Sequence, residues 1–92
     1  MKYTIKKSSL FKKDYKMAIK RGYDISLLLE VIRILASGDT LPEKYQDHAL
    51  KGKYMGYREC HITPDWLLFY KIEESLLILV LTRTGTHADL FY

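Results

Sequence analysis

Three histidines, His48, His61 and His87, are the residues of this 92-residue chain best suited to acid–base chemistry. Along the chain, Asp65 follows His61 and Arg83 precedes His87, so imidazole, carboxylate and guanidinium groups are available together. Imidazoles titrate near neutrality and can donate or accept a proton, and arginine offers a planar fork to a phosphate. This combination of residue types predicts acid–base catalysis with a cation that stabilises negative charge.

RNA is a substrate that such a set can cleave without a cofactor. The ribose 2′-hydroxyl attacks the neighbouring phosphate when a base removes its proton, and an acid protonates the departing 5′-oxygen. A cation stabilises the charge that develops on the phosphorane oxygens. Histidine, arginine and aspartate therefore suffice for this reaction, although each of them is also common on surfaces that have no catalytic role.

A metal site is the alternative use of the three histidines. No two of them have the short spacing, such as i, i+2 or i, i+4, that is typical of metal ligands on one strand or helix. Cys60 is the only cysteine, so neither an internal disulfide nor a thiolate metal cluster can form. We therefore expect no metal and no small-molecule cofactor.

The charge of the chain favours an acidic partner. Fifteen Lys and Arg against eleven Asp and Glu give a net charge of +4, and basic residues are concentrated in the first quarter of the chain. There Lys12, Lys16 and Lys20 have i, i+4 spacing, which aligns them on one face of a helix. We expect this lysine ladder to contact the RNA backbone; a solvated face without a binding role is the alternative.

The pattern of apolar residues predicts an α+β fold, whose first strand and first helix come early in the chain. Residues 2–6 alternate in polarity and predict a short strand. A helix capped by Ser8 or Ser9 should then extend to about Arg21. The predicted buried stripe of this helix consists of Phe11, Tyr15, Ala18 and Ile19.

A second helix, capped by Asp24 and ended by Gly38, should form an antiparallel hairpin with the first, because the joint between them is very short. A charged loop over residues 39–53 follows. An antiparallel β-meander then completes one twisted sheet, with strands at residues 57–62, 66–72 and 76–82. The unbroken aliphatic run of the last strand predicts a central position that is covered on both faces.

A chain of this length closes around one core, so we expect residues 1–92 to form a single domain. The start of the chain is polar and charged and lacks the apolar segment of a signal peptide. The longest aliphatic run, residues 76–81, is far too short to span a membrane. We therefore expect a soluble, cytoplasmic protein without a membrane partner.

The segments that carry these residues resemble the YafQ-type toxins of the RelE superfamily. They read DHALKG at residues 47–52, GYRECHITPDWLL at residues 56–68 and RTGTHADLF at residues 83–91. The resemblance extends over essentially the whole chain and implies the RelE-like fold, a twisted sheet with two helices on one side. It also implies an endoribonuclease that cuts mRNA in the ribosomal decoding site and a cognate antitoxin that neutralises it.

Matched by position, the functional residues of the family correspond to His48, His61, Asp65, Arg83, His87 and Phe91, with Glu59 ranked lower. On this basis we assign His87 as the general acid and Arg83 as the phosphate ligand, both on a glycine-containing loop beyond the last strand. The general base remains open between His48, His61 and Asp65.

Two of these residues have a structural alternative. Asp65 either takes part in catalysis or stabilises the turn after Pro64. Phe91 either stacks on a base or anchors the C-terminal segment against the sheet. The sequence departs from the family pattern at Ala49, where proline is usual, and at Tyr92, which extends beyond the usual terminal phenylalanine and could shift Phe91.

A non-enzymatic binding module is the main alternative to a nuclease. The same superfamily includes ParE toxins, which lack this set of histidines. The lysine ladder could likewise bind an acidic antitoxin instead of RNA. The three histidines at motif positions favour the nuclease.

Overall fold

One sheet of five strands forms the centre of the structure, a computed structural model that describes residues 1–91. The strands are β1 (Thr4–Lys7), β2 (His48–Ala49), β3 (Arg58–Thr63), β4 (Trp66–Glu73) and β5 (Ile78–Gly85). Their order in the sheet is β1–β5–β4–β3–β2. β1 runs parallel to β5, and the other neighbouring pairs are antiparallel, as the predicted meander requires. Tyr92, and with it the expected effect on Phe91, lies outside the described residues.

The predicted helix hairpin precedes the meander. The helices are α1 (Ser9–Lys20), α2 (Ile25–Ala36) and a short α3 (His87–Phe91) after β5. Ser8 caps α1 by accepting a hydrogen bond from Phe11 N at 2.9 Å, and Asp24 caps α2 by accepting one from Ser26 N at 3.1 Å. Gly22 has a φ of +76° directly after α1, the left-handed conformation that ends a helix at low cost. Both caps and the glycine stop therefore confirm the predicted bounds.

The main core lies between the two long helices and one face of the sheet. Its buried side chains include Phe11, Ala18, Leu28, Val31, Leu68, Tyr70, Leu79 and Leu81. The prediction that Ile19 is buried is wrong, because its side chain is 54% exposed. Ile19 follows Ala18 directly, so it is rotated about 100° around the helix from the stripe that faces the core.

The strand that is covered on both faces is β4, and the prediction of this property for β5 is wrong. Leu68 and Tyr70 face the main core, whereas Leu67 and Phe69 pack in a second cluster with Leu90 of α3. Along the first half of β5, fully buried residues alternate with half-buried ones. The difference arises because Leu90 of α3, together with Leu50 and Tyr54 from the segment before β3, packs on the second face of β4.

The segment predicted as a loop over residues 39–53 contains regular structure. It includes β2 and two single turns of 3₁₀ helix, at Glu43–Tyr45 and Gly52–Tyr54. β2 pairs with the free edge of β3, and this distant partner is not visible in the local sequence. His48 therefore lies on an edge strand rather than in a loop. Within residues 1–91, no helix is both long and apolar enough to cross a membrane.

Candidate active site

The register of the sheet aligns the candidate residues in a row across the strands. His48 lies opposite Glu59, Glu59 lies opposite Phe69, and Phe69 lies opposite Arg83. His61, two positions beyond Glu59 in β3, belongs to the same face, because side chains alternate along a strand. The histidines lie on the face opposite the main core, and α1 reaches this row only at the edge of β5, where Asp14 meets Arg83.

Glu59 is the centre of the site. Its side chain is almost completely buried, and Oε1 lies 3.1 Å from His61 Nε2 and 3.4 Å from His48 Nε2. On the other side of the His48 ring, Nδ1 lies 2.7 Å from the carbonyl oxygen of Gln46. Glu59 therefore links the two imidazoles, whose centroids are 6.3 Å apart.

Asp65 holds His87. The Oδ1 atom of Asp65 accepts a hydrogen bond from the backbone N of His87 at 2.9 Å and lies 2.6 Å from Nδ1 of its ring. These two bonds, the backbone one first, lower the pKa of the Asp65 carboxyl. With Nδ1 donating to Asp65, Nε2 is the nitrogen left to meet a substrate. The ring centroid of His87 lies 5.6 Å from that of His61, so the three imidazoles are neighbours.

Phe91 lies beside the histidines at the end of α3. Its side chain is 47% exposed and contacts Phe69 edge-on, with centroids 5.5 Å apart. Its ring also lies 6.2 Å from that of His87 in a stacked orientation. Leu90, which is buried in the second cluster, anchors α3. Part of the Phe91 ring is thus free to contact another molecule.

Arg83 belongs to the row but is bound to a carboxylate from α1. Its Nε and Nη2 donate to the two oxygens of Asp14 at 2.7 and 3.1 Å, and this pairing raises the pKa of the guanidinium. The backbone N of Thr84 also donates to Asp14, at 3.1 Å. Arg83 lies within β5, so the prediction that a loop carries it is wrong. The strand extends as far as Gly85, because Phe69 and its neighbours in β4 supply hydrogen-bonding partners.

The lysine ladder is exposed on α1 and is separate from the histidines. Lys12 and Lys16 border a groove of about 320 Å³ between α1 and α2, together with Phe11 and Leu29. Lys20 is exposed further along the same helix. Because α1 packs on the opposite face of the sheet, the structure does not bring the ladder and the histidines together.

Two acidic residues are more important to the candidate site than the sequence analysis indicates. The sequence analysis places Glu59 below the histidines, although the alternation within β3 indicates that it shares a face with His61. Asp47 accepts hydrogen bonds from Arg58 at 3.2 Å and from the hydroxyl of Tyr70 at 2.5 Å, which fixes the backbone next to His48. Only the tertiary contacts of Asp47 reveal this role.

The side-chain nitrogen and oxygen atoms of the cluster contact one another rather than pointing at a common centre that a metal ion could occupy. Among residues 1–91, no group of three His, Cys, Asp or Glu side chains is arranged to hold a metal ion. Cys60, the single thiol, is buried in the main core, and its burial raises its pKa far above the usual range. The arrangement is suited to proton transfer by imidazoles that carboxylates orient.

The fold and the site together define a class of protein. Its members are small α+β chains with a helix pair on one face of the sheet and an imidazole–carboxylate cluster on the other. Residues 3–92 match the family described as "Bacterial toxin of type II toxin-antitoxin system, YafQ". The chain therefore belongs to the YafQ family of bacterial toxins, and the resemblance seen in the sequence is confirmed.

Individual relatives agree with this assignment. The mRNA interferase toxin YafQ of Escherichia coli strain K12 is 43% identical over 88 residues, which cover 95% of this chain and 94% of that protein. The crystal structure of the E. coli DinJ–YafQ complex contains a chain with a TM-score of 0.90 and 41% identity, covering 98% of this chain and 99% of that one. The crystal structure of a metal-bound toxin from Helicobacter pylori has a TM-score of 0.91 and 45% identity, covering 97% and 99%. The predicted RelE-like α+β fold is confirmed by these likenesses.

Proposed function

We propose that this protein is the toxin of a type II toxin–antitoxin pair, an endoribonuclease that cleaves mRNA on the ribosome as a single domain of residues 1–92. The observation that carries the proposal is the line of three imidazoles on the open face of the sheet, two of which contact Glu59 while the third contacts Asp65. The name of the E. coli relative, an mRNA interferase toxin, supports the same activity. Its complex with DinJ supports a cognate antitoxin as partner. Action on ribosomes implies a cytoplasmic protein.

The proposed general acid is His87. Its ring is 45% exposed, and the bond between Nδ1 and Asp65 directs Nε2 toward the substrate. Nε2 donates a proton to the 5′-oxygen as the bond to phosphorus breaks. Asp65 then orients the ring and stabilises its charged form, so it is a partner of the acid rather than the general base.

The general base is one of the two histidines that contact Glu59. His48, whose side chain is 51% exposed, is open to a substrate, whereas His61 is largely covered. His48 in its neutral form removes the proton from the 2′-hydroxyl, and the Glu59 carboxylate stabilises the imidazolium that results. His61 lies between His48 and His87, and the exposed part of its ring is proposed to contact the scissile phosphate.

Arg83 is the proposed ligand of the phosphorane oxygens. Asp14 occupies Nε and Nη2 of its guanidinium, so Nη1 is the group available to a phosphate unless the substrate displaces the carboxylate. Phe91 offers its exposed ring for stacking on a base, an interaction worth about 1–3 kcal/mol. Lys12, Lys16 and Lys20 are proposed to bind ribosomal RNA through its phosphates.

The decisive experiment incubates the purified protein with translating ribosomes and determines the chemistry of the new mRNA ends. Attack by the 2′-hydroxyl leaves a 2′,3′-cyclic phosphate and a 5′-hydroxyl. A 3′-hydroxyl with a 5′-phosphate would contradict the mechanism, and the absence of new ends would favour a non-enzymatic toxin. Metal independence remains a prediction, and the metal-bound H. pylori relative makes its test necessary. Because ribosomes require magnesium, the product ends are a cleaner measure than chelation.

A further inference from the structure

The helix that carries His87 and Phe91 requires support from the rest of the molecule. α3 has five residues, far fewer than a helix needs to be stable by itself in water. Thr86 and Asp89 cap its first turn reciprocally: Thr86 N donates to Asp89 Oδ2 at 2.9 Å, and Asp89 N donates to Thr86 Oγ1 at 3.1 Å. This cap stabilises the turn but does not by itself orient the helix against the sheet.

A bidentate ion pair with Arg21 fixes α3 at a further point, in addition to the packing of Leu90. Nη1 and Nη2 of Arg21, directly after α1, donate to the two carboxylate oxygens of Asp89 at 2.6 and 3.1 Å. The guanidinium also lies 5.9 Å from the ring centre of Tyr23, and Tyr23 packs against the buried Trp66 with centroids 4.9 Å apart. Arg21 therefore connects α3 to the main core on the other side of the sheet.

Two further observations indicate that Asp89 is tightly seated. A Cβ atom added to Gly85, the last residue of β5, would lie 2.9 Å from Asp89 Oδ2, so glycine is needed for this close approach. The guanidinium of Arg21, with additional hydrogen bonds from Thr86, holds the pKa of the Asp89 carboxyl well below its usual range. The carboxylate is thus ionised and bound throughout the neutral range.

We propose that Arg21 and Asp89 are positioning residues for RNA cleavage, acting through the backbone of α3 to place the His87 imidazole and the Phe91 ring against the substrate. This inference rests on the proposed nuclease function. His87 is then held from two directions, by Asp65 at its ring and by the Arg21–Asp89 pair at its helix. The pair touches neither the reacting atoms nor the proton that His87 donates.

The expected effect is on turnover rather than on substrate affinity. A displacement of a catalytic group by about 1 Å can cost up to about 10²-fold in rate, so we expect Arg21→Gln to lower kcat by about 10- to 100-fold. KM should change by less than about threefold, because Arg21 makes no substrate contact in the proposed complex. Arg21→Lys keeps the charge but lacks the planar fork, so its kcat should lie between that of the unmodified protein and that of Arg21→Gln.

Asp89→Asn should resemble Arg21→Gln, and the double variant should be no slower than either single one, because both changes remove the same contact. Arg33→Gln is the matched control, since Arg33 forms an ion pair of 2.6 Å with Glu30 on the exposed surface of α2. All variants are assayed on translating ribosomes at a temperature at which melting curves show them fully folded. The ring resonances of His87 are recorded by NMR in the same samples.

A fall in kcat for Arg21→Gln but not for Arg33→Gln, together with shifted His87 resonances, is the expected result. A wild-type kcat in Arg21→Gln, an equal fall in Arg33→Gln, or a fall in kcat without a shift of the His87 resonances would each overturn the inference. If the unmodified protein cuts no mRNA, the nuclease proposal fails. The His87 resonances of Arg21→Gln then decide the positioning claim alone: a shift supports it and no shift overturns it.

Discussion

The two faces of the sheet are built from the same strands but carry opposite chemistry. In β3, Cys60 and Ile62 face the helices and are buried in the main core, whereas Glu59 and His61 face the histidine cluster. Alternation along the strand is sufficient to separate the two sets, because successive side chains point to opposite faces. In a small chain, alternate residues of one strand can thus serve stability and chemistry respectively.

The separation is incomplete over β4, where Leu67 and Phe69 are buried on the histidine face. These two side chains form the seat for α3, so the chemical face also contains a small apolar cluster. We therefore expect substitutions on the helix-covered face to change stability and those in the histidine cluster to change activity. The residues that seat α3 should change both.

The largest expected effect is that of His87→Ala on activity. Loss of a general acid typically lowers a rate by about 10²–10⁴-fold, whereas truncation of a side chain that is 45% exposed opens no core cavity. Cleavage rates on translating ribosomes and thermal melting of the same preparation measure the two quantities. A much lower melting temperature would make His87 structural, and an unchanged rate would remove it from the mechanism.

Leu68→Ala is the corresponding change on the helix-covered face. Leu68 is fully buried between the sheet and the helices, so its truncation should lower the free energy of unfolding by about 2–5 kcal/mol. The cleavage rate per folded molecule should stay the same. Leu76→Ala, at a leucine that is 67% exposed, serves as control and should change stability by no more than about 0.5 kcal/mol. Comparable losses in the two variants, measured by urea denaturation, would contradict the assignment of the core.

A smaller effect is expected for the lysine ladder, which is exposed on α1 and separate from the histidine cluster. Replacing Lys12, Lys16 and Lys20 together by Gln should weaken ribosome binding and reduce the slope of log K against log salt by about 2–3, because three phosphate contacts are lost. Codon preference should stay unchanged, since phosphate contacts carry no sequence information.

The matched control for the ladder replaces three other exposed lysines, Lys2, Lys6 and Lys44, by Gln, which gives the same change in net charge. Equal salt slopes in the two triple variants would show that only net charge matters. Affinity for the antitoxin is measured alongside, because a loss there with unchanged ribosome binding would assign the ladder to the antitoxin.

The smallest expected effect is a dependence of stability on acid, through the ion pair between Arg21 and Asp89. The folded state lowers the pKa of the Asp89 carboxyl, so its contribution is fully present above the ordinary value of about 4 and is lost as the pH falls further. Because both side chains are about one-third exposed, we expect no more than about 1 kcal/mol. The difference in stability between the parent and Asp89→Asn should therefore be constant from about pH 5 to about pH 8 and should shrink in stronger acid. Chemical denaturation at several pH values measures this difference in the free energy of unfolding. A difference that persists at low pH would falsify this account.

Local signals in the sequence were sufficient wherever an element depends on residues close to it along the chain. Asp24 was correctly predicted as a helix cap, and Ser8 is one of the two caps predicted for the first helix, because each bonds an amide only a few residues away. The three histidines could be selected by residue type, and alternation within β3 would have been enough to relate Glu59 to His61. Family resemblance supplied the general roles that no pattern of spacing indicates.

Contacts between distant segments could be decided only by the tertiary structure. The pairing of β2 with β3 brings His48 to Glu59, and the docking of α1 on the edge of β5 brings Asp14 to Arg83, 69 positions apart in the chain. Arg21 and Asp89, separated by 68 positions, meet for the same reason. Sequence therefore determined which residues and elements this protein has, while the register of the sheet and the packing of the helices determined which side chains bind one another. The physical reason is that a hydrogen bond or ion pair depends on the final positions of both partners, and those positions are set by burial of the whole core rather than by the residues beside either one.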